Sequence, residues 1–194
     1  VYAAEYFHNA PIDHAKIGEI HKALKAKLCN ISIIGMPSSG KTTIGKALAE
    51  KLGKTFVDLD EEIVRRAGRS IPDIFAQEGE AAFRRLETEA AAEAAKHTGQ
   101  VISCGGGIVK TPGNARLLRQ NGPVLWIRRP LEALTVGGGR PLSSSREALE
   151  KMEAERLPLY RAATDGIVEN SGSLEQAITA AEEVFYEILD SERA

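Results

Sequence analysis

Only two cysteines, Cys29 and Cys104, occur among the 194 residues, so neither a disulfide framework nor a cysteine-rich zinc cluster can be built. That scarcity fits a reducing, cytoplasmic setting. Charge of one sign is also lacking. The formal net charge is −2, which leaves no basic excess to hold a nucleic-acid backbone through counterion release. No apolar run approaches the roughly 20 residues needed to span a bilayer. The opening residues, VYAAEYFHNAPIDHAK, contain no apolar core of a secretory signal. Internal repeats and low-complexity linkers are missing too. What remains is 43% hydrophobic and 27% charged, enough for one sizeable core in one domain. Val1 in place of an initiator Met would fit a processed or excised piece of something longer.

Short β-branched runs alternate with helical patterns along the chain. Ile12, Ile17, Ile20 and Leu24 recur at helical spacing and predict a helix after Pro11. Strands are predicted at 28–34, 55–57, 101–103, 124–127 and 167–168, and helices at 42–52, 61–67, 78–97, 146–157 and 174–189, with a loop at 137–145. That alternation indicates an α/β domain with a mainly parallel sheet.

One motif carries the first chemical statement. Gly35-Met36-Pro37-Ser38-Ser39-Gly40-Lys41-Thr42 fits G-x-x-x-x-G-K-[ST] in full, between a predicted strand and a predicted helix. Such a loop turns successive backbone N–H groups toward phosphate oxygens, and the helix adds its positive dipole end. Lys41 places a charge on the β and γ phosphates, and the Thr42 hydroxyl ligates Mg²⁺. The chain is therefore expected to bind a nucleoside triphosphate. Neither N-K-x-D nor L-S-G-G-Q occurs, which removes guanine-specific switches and transporter ATPases and leaves a small phosphotransferase.

Asp58 and Asp60 follow the second strand, two residues apart, which puts both on one face of an extended chain at the end that opens onto a ligand crevice. One acid can hold a Mg²⁺-bound water while the other accepts a substrate proton, although Asp60 would equally suit a helix N-cap. Arg84 and Glu87 are three apart in a helix. They are either an exposed ion pair or a guanidinium aimed at an anionic substrate. Ser103-Cys104 leads into Gly105-Gly106-Gly107, a costly run that makes sense where a ligand lies against backbone. Cys104 reads as a strand-end residue, because no adjacent His would activate it. Gly137-Gly138-Gly139-Arg140 resembles a mobile flap with one cation, and Arg156-Leu157-Pro158-Leu159-Tyr160 closes a charged helix.

In order and spacing, GMPSSGKT, FVDLDEEI, GRSIPDIFAQEGEAAFRRLE, SCGGG, RPL and RLPLY resemble the shikimate kinase family over residues 29 to 190. The resemblance implies a P-loop fold like that of nucleoside monophosphate kinases, with a five-stranded parallel sheet flanked by helices and a mobile lid. It implies ATP-dependent phosphorylation of the 3-hydroxyl of shikimate in aromatic amino-acid biosynthesis. Residues 35 and 37–43 (Gly35, Pro37, Ser38, Ser39, Gly40, Lys41, Thr42, Thr43) would take the nucleotide, with Arg140 from the lid. Lys41, Asp60 and Arg140 would be catalytic. Arg84, Gly105, Gly106, Gly107, Arg156 and Asp60 would hold shikimate, the two arginines clamping its carboxylate. Thr42 would ligate the metal, with Asp58 and Ser103 acting through water. The partners implied are shikimate and ATP, with no nucleic acid and no membrane.

Residues 28–194 would form the kinase domain, with 1–27 as a helical extension or linker. That segment looks like the closing helix of a shikimate dehydrogenase, which would make it the remnant of a bifunctional fusion; a helix packed on the core is the alternative. Two other functions stay open on the sequence alone. A kinase for another small alcohol, such as gluconate, would share the phosphate loop, and a nucleotide-binding module without turnover would keep only that loop.

Overall fold

The computed structural model describes residues 14–134 and 145–191. Five short strands form one all-parallel sheet: β1 (Ile31–Ile34), β2 (Thr55–Asp58), β3 (Gln100–Ser103), β4 (Val124–Arg128) and β5 (Gly166–Glu169). Their order across the sheet is β2-β3-β1-β4-β5. Register is fixed by pairs such as Ile33 with Ser103 and Ile34 with Trp126. All four residues of β1 are buried, as expected of a strand covered on both faces.

The pleat sorts the apolar side chains into two cores. Ile31, Ile33, Leu125, Ile127 and Val168 meet α2 (Lys41–Leu52) and the closing helix α7 (Leu174–Ser191). Ile34, Ile102, Val124 and Trp126 face the opposite way. They pack with α3 (Leu59–Ala67), α4 (Ile71–Ala94), α5 (Asn114–Leu118) and α6 (Arg146–Ala163). Single 3₁₀ turns at Ile108–Lys110 and Leu131–Ala133 complete that side. With the strands all parallel, their C-terminal ends form one edge, where α/β sheets hold ligands. No helix among the described residues is long and apolar enough to cross a membrane.

Several element boundaries differ from the sequence expectation, each for a local reason. The first helix, α1 (His14–Leu28), takes Leu28 from the predicted strand; Leu28 is 52% exposed, and burial begins at Asn30. The long fourth helix starts earlier than expected, capped by Ser70, whose Oγ accepts from the Asp73 N–H. It is broken at Gly79 (φ 79°, ψ 178°), a backbone state open to glycine almost alone. Pro158 does not stop α6, which runs on to Ala163. The proline is exposed, as is Ala154, whose carbonyl loses its helical donor to the proline. The gain is Tyr160, buried and stacked 5.6 Å from Trp126. The flap residues 137–144, Arg140 among them, lie outside the described residues.

The end of α1 is tied to the domain. Lys54 Nζ donates to the carbonyls of Ala26 (2.7 Å), Lys27 (3.2 Å) and Cys29 (2.6 Å), which are orphan acceptors at and just beyond a helix C-terminus. Gly99 N–H donates to Leu28 O at 2.7 Å. Earlier turns are held less firmly: Ile20 and Leu24 are exposed, and Lys22 makes a surface ion pair with Asp190. Lys54→Met is therefore expected to cost about 1–3 kcal/mol in urea unfolding. Starting the chain at Lys25 should cost less than about 1 kcal/mol. A larger loss on truncation than on the Lys54 change would make the early turns of α1 part of the core.

Candidate active site

The glycine-rich loop leaves β1 at Ile34 and enters α2 at Lys41. Gly40 caps α2 through backbone only, with no side chain satisfying the first N–H groups, so these donors are left for an anion. Ser38 has φ 63°, the one non-glycine with positive φ among the described residues. Lys41 is 7% exposed, and its ammonium donates to the loop carbonyls of Gly35 (3.0 Å) and Met36 (2.7 Å). Pro37, Ser38, Gly40, Lys41, Thr42 and Thr43 line a cavity of about 800 Å³ at the C-terminal edge of the sheet. Gly35 and Ser39 do not line it. Gly35 packs against the Ile127 carbonyl, and Ser39 is fully buried, its carbonyl accepting from Asn170 Nδ2 at 2.8 Å.

The same cavity takes both aspartates, by a different route from the extended one expected. The strand ends at Asp58, and that residue, not Asp60, caps the next helix: its Oδ1 accepts from the N–H groups of Asp60 (3.0 Å) and Glu61 (3.4 Å). Its other oxygen accepts from Thr42 Oγ1 at 2.9 Å, and Ser103 Oγ lies 3.4 Å from that hydroxyl. Three hard oxygens from three elements thus meet below the phosphate loop, a donor set suited to Mg²⁺ with its waters. Asp60 sits in the first turn of α3 with its carboxylate against Gly105.

Arg84 is not an ordinary surface pair. Its Nη1 donates to Glu87 Oε2 at 2.7 Å, and Glu87 is 1% exposed. Burial pushes the Glu87 carboxyl up to about 7; Arg84 and then Arg156 pull it down, while Asp60 adds to the rise. On its open side Arg84 meets Glu80 at 3.0 Å, and Lys110 ties Glu80 to Glu155 of α6. The glycine run makes this packing possible. A Cβ on Gly107 would overlap the Arg84 guanidinium, and one on Gly106 would press on Pro37 and Arg156. Arg156, 4% exposed, donates to the Gly106 carbonyl at 3.0 Å. One turn on, Tyr160 Oη donates to the same oxygen at 2.5 Å. Cys104 is buried, and burial drives its thiol far up, which removes it as a nucleophile.

Sequence reasoning named Lys41, Asp58, Asp60, Arg84, Glu87 and Arg156 in the cavity but not Arg129, and Arg140, which it also named, lies outside the described residues. It missed the Glu80–Lys110–Glu155 brace and Asn170 behind the loop. Helical spacing of Glu80 and Arg84 was the available signal for the former; nothing local pointed to the latter.

A phosphate loop at the end of a parallel strand, with three clustered oxygens below it and two guanidiniums around a second glycine run, fits a P-loop phosphotransferase. The comparisons agree. A shikimate kinase family model matches residues 37–191. Shikimate kinase of Nitrosomonas europaea is 43% identical over 150 residues, covering 74% of this chain and 71% of that one. The enzyme of Stenotrophomonas maltophilia is 44% identical over 143 residues, covering 70% and 79%. Shikimate kinase from Acinetobacter baumannii, solved in complex with shikimate, superposes with a TM-score of 0.79 at 33% identity, covering 89% of this chain and 99% of that one. This chain belongs to the shikimate kinase family.

The Glu87 proton gives a direct check on the geometry. The folded protein holds it more tightly than the unfolded chain does, with a value raised from 4.5 to about 7. That contribution to stability is full below pH 4.5 and is lost as pH rises through 7. Ligand-free parent protein should therefore lose about 3 kcal/mol relative to Glu87→Gln across that window, read by urea unfolding. Parallel pH profiles for the two proteins would contradict it.

Proposed function

We propose that this protein transfers the γ-phosphoryl group of ATP to the 3-hydroxyl of shikimate, giving shikimate 3-phosphate and ADP in aromatic amino-acid biosynthesis. The observation that carries the reading is that two arginines, Arg84 and Arg156, line one cavity with the phosphate loop. A carboxylate between two guanidiniums accepts forked, charge-assisted hydrogen bonds, which a polyol without that group cannot match.

The loop N–H groups and Lys41 take the phosphates of ATP, and Lys41 neutralises charge that builds on the transferred group. Arg84 and Arg156 hold the acceptor's carboxylate, with Gly105, Gly106 and Gly107 giving it a bare backbone floor. Asp60 orients the acceptor hydroxyl and takes its proton as the bond to phosphorus forms. Arg140 is assigned to the transferring phosphate from the family resemblance. Thr42 would ligate Mg²⁺, with Asp58 and Ser103 holding its waters, and the ion would offset negative charge on the phosphate oxygens. We assign residues 28–194 to the kinase domain and 1–27 to an N-terminal extension, working in the cytoplasm.

The test is ADP release with shikimate, with gluconate and with no acceptor. Release that depends on shikimate is expected; release only with gluconate, or with neither acceptor, overturns the reading. Lys41→Met should lower turnover by several orders of magnitude while the protein stays folded, its melting temperature falling only as far as the lost bonds to Gly35 and Met36 require. Arg84→Ala and Arg156→Ala should each weaken shikimate roughly 30- to 4000-fold, with ATP affinity measured alone falling far less; Arg84→Ala should also lower stability by leaving Glu87 buried and unpaired. Parent-like shikimate binding in both variants would remove the carboxylate clamp.

A further inference from the structure

We infer that Arg129 is a phosphate-binding residue of the nucleotide site, reaching the triphosphate from the side of the glycine-rich loop. β4 is the hydrogen-bonded neighbour of β1, with Trp126 beside Ile34. The loop that follows β1 runs so close to β4 that a Cβ on Gly35 would collide with the Ile127 carbonyl. Two residues later Arg129 leaves the sheet, at the edge where the strand ends open onto the ligand crevice. Its side chain lines the same cavity as Ser38, Lys41 and Thr42.

What sets Arg129 apart is its lack of a partner among the described residues. Its Nε is buried and makes no hydrogen bond, and no carboxylate of the described residues pairs with it. Neighbouring arginines are provided for. Arg128 points the other way, exposed, onto Glu169 at 3.2 Å. Arg84 has Glu80 and Glu87, and Arg156 reaches the Gly106 carbonyl through Nη1, although its Nε is buried without a partner as well. Holding a guanidinium N–H away from water without an acceptor is costly, so a cavity that keeps one is built for an anion. Arg84 and Arg156 enter from α4 and α6 around the second glycine run, the acceptor's side, whereas Arg129 enters beside the phosphate loop. Its planar fork matches two oxygens of a phosphate, which a lysine meets only as a point charge.

The inference rests on the phosphate-loop part of the proposed function and is tested without turnover. MgATP is titrated calorimetrically into the parent, Arg129→Met and Arg129→Lys in the absence of shikimate. Shikimate is titrated separately in the absence of nucleotide. Arg129→Met should bind MgATP roughly 10- to 150-fold more weakly. Its shikimate affinity should stay within about twofold and its melting temperature should be unchanged, while Arg129→Lys recovers part of the loss. MgATP affinity within about twofold of the parent would overturn the assignment. So would equal losses for both ligands with a lowered melting temperature, because Arg129 would then be structural. A parent that binds MgATP but releases no ADP with shikimate would instead refute the acceptor assignment and leave the Arg129 comparison standing.

Discussion

Burying Glu87 beside the Arg84 guanidinium is the constraint on which the rest of the acceptor side depends. A carboxylate at 1% exposure is tolerable only with donors around it, and Arg84 is the donor at hand, at 2.7 Å. Once held, the guanidinium occupies the space a side chain on Gly107 would need. The glycine run after β3 is thus a packing requirement of the Arg84 guanidinium. Gly106 carries the constraint onward, because its carbonyl is the shared acceptor for Arg156 and Tyr160 while its Cα faces Pro37 of the phosphate loop. A chain of direct contacts therefore connects Glu87 to the nucleotide loop across about one cavity's width.

The sheet supplies the other half of the arrangement. Because β1, β2 and β3 are parallel and adjacent in the order β2-β3-β1, Asp58, Ser103 and the phosphate loop emerge side by side. Asp58 does double duty there, stopping the strand by capping α3 and fixing the Thr42 hydroxyl. Such sharing leaves little freedom for substitution: an uncharged side chain would loosen a helix start and the Thr42 hydroxyl together. The two apolar cores on either face hold the strand ends in place, and the helices on the α3–α6 side carry both Arg84 and Arg156.

Much of this was legible in the sequence because the chemistry is written in contiguous motifs. The phosphate loop needs a fixed run of glycine, lysine and threonine, and its strand and helix neighbours show the right periodicity. What local reading could not give was depth. Arg84 and Glu87 at i,i+3 look the same on a wet helix face as in a wall of a cavity, and only tertiary packing separates them. Pro158 misled for a related reason: its ring ends a helix by local rules, but buried Tyr160 and Ala163 beyond it hold the helix together. Gly79 lies inside a good helical pattern, so the break it makes in α4 left no trace in periodicity. Asn170 and Arg129 reach the site from strand ends distant in sequence, where no motif surrounds them.

The account stands on two anions being held side by side, a triphosphate on the loop and a carboxylate between Arg84 and Arg156. The most direct measurement is a crystal structure with shikimate and a non-hydrolysable ATP analogue bound together. The shikimate carboxylate should lie within hydrogen-bond distance of both guanidiniums, with the 3-hydroxyl beside Asp60 and directed at the γ-phosphate on Lys41. A carboxylate turned away from the two arginines, with a different hydroxyl facing the nucleotide, would contradict it.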